Sequence, residues 1–363
     1  MLISSLIMIC AMFSIFINKK YIKIYFLLVA ILLSVAGFFY KPVIAADLYR
    51  HYEMLDKLRC YGLEYFEITK WDTLWIWNIY AYTISLMNNN GFLPAITIFI
   101  GYYCMFTTIH KAMIKFNLRK LDAIKAFIFF ILCFNYVEIL GGIRNMLAFC
   151  IFSHCIYIDL IENKNKIICM IVYLLLCFLH SSMFVFLLIR MSIFIKNRYI
   201  YRIISILLLC WSFFLPSILY MLNSLSNIDF FGLLLTQVQG YTQGGTEGIL
   251  NLIIRTIILV CIIISIIYCR YNNSKIMEYN QYNEFVTMLI LFTIGSLGVY
   301  DLYVRAISLV LMVCIIYILF ISNNNRIYSK KINLMNLIFI YVSSIAFIFW
   351  SIYQYRDLSF YIL

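Results

Sequence analysis

Long apolar runs recur along the whole chain, as in YFLLVAILLSVAGFFY at residues 25–40 and TIILVCIIISIIY at 256–268. Such runs must be hidden from water, and about 20 apolar residues in a helix are enough to span a bilayer. With 65% of the 363 residues hydrophobic and only 12% charged, there is too little polar side chain to cover a water-soluble surface. The sequence therefore predicts an all-α, polytopic helical membrane protein with roughly 11–13 transmembrane or re-entrant helices, forming a single integral membrane domain over residues 1–363. The first segment, residues 1–17, has no basic start and no small-residue cleavage site, so it is expected to remain as a helix.

The formal charge of +12 raises nucleic acid or anionic lipid as partners, and the positions of the charges decide between them. Lys and Arg gather in short loops: Lys19, Lys20 and Lys23; Lys111, Lys115, Arg119, Lys120 and Lys125; Lys164 and Lys166; Lys196, Arg198 and Arg202; Arg270 and Lys275; Arg326, Lys330 and Lys331. The positive-inside rule makes these cytoplasmic loops that set orientation, so nucleic acid is not expected as a partner. The twelve cysteines contain no CxxC pair, which supports neither a disulfide framework nor a zinc site.

With the basic loops inside, the external segments are residues 41–71, the Gly141-Gly142 turn, the surroundings of His180, residues 223–248, the VYDLYVR junction and the C-terminal tail. The count of crossings closes only if residues 72–87 do not span. Three tryptophans in seven residues, Trp71, Trp75 and Trp77, suit the headgroup region, and an interfacial or re-entrant helix is expected there. The stretch 41–71 mixes acidic, basic and aromatic residues, and from Asp47 to Arg59 it can form an amphipathic helix on the membrane surface.

Arg144, His180, Arg255, Asp301 and Arg305 then fall at or near the external ends of their helices, although they come from separate parts of the chain. Charges inside a bilayer are expensive and usually face a cavity or a partner, which suggests one polar cavity open to the outside. Each has a plainer reading. Arg144 can snorkel to lipid phosphate, Asp301 and Arg305 can pair as an i, i+4 couple, and His180 can bond a neighbouring carbonyl. Glu247, Asn251 and Arg255 recur at intervals of four, a polar stripe entering the membrane behind the loop that carries Tyr241.

Four short stretches carry a family resemblance. GGIRNMLAF resembles the arginine motif of the EpsG and Wzy-like polysaccharide polymerases, FLHSSMFVFLL their His-Ser segment, ADLYRHYEML their aspartate and tyrosine loop, and DLYVRAISL their late arginine. The family's usual glycine before the loop aspartate is Ala46 here.

The resemblance implies a membrane glycosyltransferase related to the GT-C-like enzymes. It would transfer a growing glycan from polyprenyl diphosphate to the non-reducing end of another lipid-linked repeat unit, on the outer face of a bacterial cytoplasmic membrane. The implied substrates are polyprenyl-diphosphate-linked donor and acceptor oligosaccharides; the resemblance allows a chain-length regulator as a protein partner and calls for no cofactor and no metal. Arg144, Arg255 and Arg305 would bind the diphosphate through forked, permanently charged donors. Tyr49, Tyr52, Tyr241, Asn251 and Asp301 would contact substrate. Asp47 and His180 are both candidates for the general base; Asp47 also reads as an N-terminal cap for a helix beginning at Leu48. Another polyprenyl-linked-sugar transferase or ligase, a flippase for lipid-linked oligosaccharides, and an acyltransferase using His154 or His180 remain as alternatives.

Overall fold

A computed structural model describes residues 2–44, 46–67, 74–195, 197–226, 249–272, 274–321 and 329–354. Every regular element among them is helical. Helices Lys19–Phe38, Phe92–Lys115, Ile143–Ile161, Leu250–Tyr271 and Leu337–Gln354 are each long and apolar enough to cross a membrane. The pair Tyr300–Val313 and Ile315–Ile321, bent by 48° at its break, makes a sixth candidate crossing. Leu28, Ile171, Ile206 and Ile257 are among many large apolar side chains exposed on the outer surface, as lipid contact requires. The chain is a polytopic helical membrane protein.

Among the described residues these six candidate crossings stand beside shorter apolar helices, against the 11–13 transmembrane or re-entrant helices expected. Helices Leu2–Ser14, Lys166–Cys177 and Met183–Ser192 have only 13, 12 and 10 residues. At 1.5 Å per residue they reach about 15–20 Å, short of a hydrocarbon core of about 30 Å. Apolar runs that resemble full spans are here cut by turns, such as the one at residues 178–182.

Aromatic rings fill the interior. Phe26 stacks on Phe127 with centroids 4.9 Å apart, and Phe130 on Phe134 at the same separation. Where helices approach most closely the side chain is absent: a Cβ at Gly295 would collide with the Leu208 carbonyl. Inside the bundle, Arg190 and Asp159 are both buried and pair at 2.8 Å, with the Tyr173 hydroxyl donating to the same carboxylate at 3.2 Å. That pair ties three consecutive helices together, because neither charge can be left alone in a low-dielectric interior.

The helices share two distinct ends. At one, Lys115 Nζ donates to the Ile161 carbonyl, Lys120 Nζ donates to the Ile15 carbonyl at 3.1 Å, and Lys111 lies 3.9 Å from Glu162. Phe116 touches both Tyr279 and Phe320 there. Basic loops separated by more than a hundred residues are thus brought to one side. Arg144 lies at the opposite end of Ile143–Ile161, about 25 Å away along the helix axis.

Cysteine labelling of the intact protein should place residues 18–23, 110–125 and 197–202 on one side of the membrane, with residues 41–67 on the other. Labelling of residues 41–67 from the same side as 110–125 would contradict this arrangement.

Candidate functional site

The end opposite the basic loops is roofed by a helix that follows from simple periodicity. In Asp47–Tyr61 the buried positions are Leu48, His51, Met54, Leu55 and Leu58, a single face at spacings of three and four. Gly62, at φ +62°, ends the helix in a conformation that favours glycine, and its N–H bonds the Leu58 carbonyl at 2.9 Å. Beside it lies Trp75–Ser85, eleven residues and too short to span. Trp71 and Asp72 lie outside the described residues.

Asp47 is not the cap expected for this helix. Ala46 occupies the N-cap position and makes no side-chain bond, so Asp47 is the first helical residue. Its carboxylate turns instead to Arg50 at 2.7 Å and lies 3.6 Å from His51 Nε2, farther than a hydrogen bond. The buried His51 ring meets Trp77 edge-on at 5.0 Å, and the Arg144 guanidinium lies 5.6 Å from the Trp77 centroid. Burial alone would raise the Asp47 carboxyl, but His51, Arg50 and Arg144 outweigh it and hold it below its ordinary value. Burial, helped by Arg144 and Arg50 and opposed by Asp47, likewise holds His51 below its ordinary value and therefore neutral near pH 7.

His180 sits in the turn at 178–182, where the charges of Arg305, Arg144 and Asp47 all reach it. The Ser182 backbone N–H donates to its Nδ1 at 3.2 Å, and the Ser182 hydroxyl oxygen lies 2.8 Å from Nδ1 and 3.2 Å from Asn145 Oδ1. Nδ1 is thus an acceptor, and the neutral ring carries its proton on Nε2. In that tautomer His180 offers a donor.

Asn145 follows Arg144 on the same helix, about 100° further round. It lines a cavity of about 260 Å3 together with Glu138, Arg255, Asp301, Arg305 and Gln354. Glu138 stands on the short helix Tyr136–Gly141, which is held in place by the Tyr136 hydroxyl donating to the Leu33 carbonyl at 2.9 Å. Its carboxylate pairs with Arg255 and accepts from Ser308 Oγ at 2.9 Å. Arg255 Nε donates to Asn251 Oδ1 at 2.8 Å, Asn251 Nδ2 to the Tyr300 hydroxyl at 3.3 Å, and the guanidinium lies 5.4 Å from the Trp350 centroid. Arg255 is therefore charge-matched, and Arg305 and Asp301 line the same cavity.

The structure thus brings Asp47, Arg144, His180, Asn251, Arg255, Asp301 and Arg305 to one end of the bundle. Tyr49 and Tyr52 are on the same surface helix but line a different cavity. Tyr241, Glu247 and most of the segment 223–248 lie outside the described residues. His154 is set apart, about 15 Å along the helix from Arg144 and bonded to Thr108 Oγ1 at 2.8 Å. Glu138, His51 and Trp77 were missed by sequence reasoning. Glu138 lies only six residues before Arg144, and a carboxylate so close to a membrane arginine was the available signal. No family model, no curated protein and no solved structure matches the chain.

Two measurements follow from this geometry. Glu138→Ala leaves the buried Arg255 without its carboxylate and should cost about 3–5 kcal/mol in unfolding experiments, with much of the loss recovered in Glu138→Ala/Arg255→Met. Separately, a histidine whose folded pKa is lowered contributes stability above its unfolded value of about 6.5, lost as pH falls below it. The Trp77 fluorescence, read as wild type minus Trp77→Phe, should be flat from pH 8 to about 6.5 and change only below; a midpoint above 6.5 would contradict the burial of a neutral His51.

Proposed function

We propose that the chain is a Wzy-type polysaccharide polymerase. It transfers a growing glycan from polyprenyl diphosphate to the non-reducing end of another lipid-linked repeat unit, at the outer face of a bacterial cytoplasmic membrane. The observation that carries this reading is the gathering of three arginines, two aspartates, a glutamate and a histidine from distant segments at the end opposite the basic loops, around a small polar cavity. A diphosphate leaving group needs fixed positive charge and forked donors, and carboxylates beside them suit a reaction that also moves a proton.

In this reading the acceptor hydroxyl oxygen attacks the anomeric carbon, the bond from that carbon to the diphosphate oxygen breaks, and the diphosphate leaves with the bonding electrons. Asp47 takes the hydroxyl proton. Its lowered pKa keeps it ionised, and Arg50 and His51 hold it in position. Arg144 and Arg305, both only partly buried at the site, bear the diphosphate charge, with Arg255 held by Glu138 beside them. His180, with its proton on Nε2, serves as a hydrogen-bond donor to substrate oxygen.

Deleting the protein should leave single lipid-linked repeat units on the outer leaflet; their retention on the inner leaflet would indicate a flippase. With purified lipid-linked units, Arg144→Lys keeps the charge but loses the fork and should lower polymerisation roughly 100-fold or more. A wild-type rate in Arg144→Lys would make that residue a lipid-phosphate anchor. Asp47→Asn should abolish elongation, whereas His180→Gln, which retains an N–H donor, should keep a measurable fraction; the reverse order would assign the base to His180.

A further inference from the structure

The surface helix Asp47–Tyr61 has a second working face. Asp47 and His51 turn towards Arg144 and Trp77, while Tyr49, Tyr52, Asp56 and Arg59 turn away from them. These side chains line another cavity, of about 540 Å3, closed on its far side by the end of Lys19–Phe38 and by the turn at residues 88–91. The floor is aromatic, with Phe38 and Phe39, and the walls carry Tyr40, the two tyrosines of the surface helix and three consecutive asparagines.

The wall is built around the Asp56–Arg59 ion pair, and Lys41 adds a second cation to the lining. Arg59 donates to Asp56 Oδ1 at 2.5 Å, to Asn90 Oδ1 at 2.6 Å and to the Ser85 carbonyl at 3.0 Å, and Asn90 Nδ2 donates to the same Asp56 oxygen at 3.1 Å. The surface helix is thereby clamped to the turn that begins Phe92–Lys115. The guanidinium is engaged by a carboxylate, one amide oxygen and a backbone oxygen, so it offers little to a phosphate. Asn89 caps the turn through the Gly91 N–H at 2.8 Å, and Asn88 holds φ +54°.

We infer that this second cavity is a carbohydrate site that takes the sugar rings of an oligosaccharide. A sugar presents an apolar ring face and a rim of hydroxyls that donate and accept. Tyrosine rings offer the apolar surface, and phenol and amide groups offer both kinds of hydrogen-bonding partner without net charge. The volume lies within the range of small-ligand pockets, and the cavity is larger and more aromatic than the one beside Arg305. The assignment rests on the reading that the chain handles glycans; it adds that sugar and diphosphate are held on opposite faces of one helix.

The test uses the full chain in nanodiscs and carrier-free oligosaccharides released by mild acid from the host's own surface polysaccharide, with binding followed by saturation-transfer NMR. The wild type should bind. Tyr49→Ala should weaken binding at least tenfold, Tyr49→Phe less, and Asn88→Gly, which keeps the positive φ and removes the amide, should also weaken it. Absence of binding by the wild type, or unchanged affinity in both Tyr49→Ala and Asn88→Gly, overturns the assignment. A larger loss from Arg305→Lys than from Tyr49→Ala puts the sugar in the first cavity and overturns it too. Because the probe carries no diphosphate, sugar binding by a protein that fails to elongate lipid-linked units removes the polymerase reading and leaves this site standing.

Discussion

The pair formed by Glu138 and Arg255 is the contact on which the candidate site depends. A guanidinium buried among apolar helices is tolerable only if a carboxylate matches it and hydrogen bonds satisfy the remaining donors. Meeting that requirement draws in Ser308 and Asn251 and sets Arg255 against the Trp350 ring. Four segments that are far apart in sequence are therefore held around one cavity by the cost of leaving a charge unmatched. Arg190 with Asp159 applies the same constraint nearer the basic end.

Pairing also sorts the arginines into different tasks. Arg255 and Arg190 are buried and matched, and they shape the bundle. Arg144 lies over the Trp77 ring and its charge reaches the Asp47 carboxylate, and Arg305 lines the cavity. The latter two keep part of their side chains exposed. Arginine at a helix end is therefore an incomplete description, and the carboxylate it meets decides what it does.

The surface helix illustrates how far pattern reading goes. Its amphipathic character is legible from Leu48, His51, Leu55 and Leu58 at helical spacing, and the structure buries that face. Asp47 does not share a face with Tyr49 and Tyr52, because consecutive residues on a helix are about 100° apart. Asp47 meets the arginine cluster and the tyrosines face another cavity. The cap reading for Asp47 failed by one residue, since Ala46 holds that position.

The sequence by itself determined the solvent. Apolar runs, scarce charge and clustered basic loops require a helical membrane protein with two unlike ends, because hydrocarbon accepts only helices or closed barrels and lysine-rich loops stay on one side. It also marked Arg144, His180, Arg255 and Arg305 as polar residues near helix ends. Tertiary structure alone decided which helices are full length, that Glu138 answers Arg255, that Ser182 meets Asn145, and that His51 buries itself against Trp77. Those contacts join residues tens to more than a hundred positions apart. Helical periodicity reports only which face a residue occupies, and which partner meets that face is set by how the helices pack.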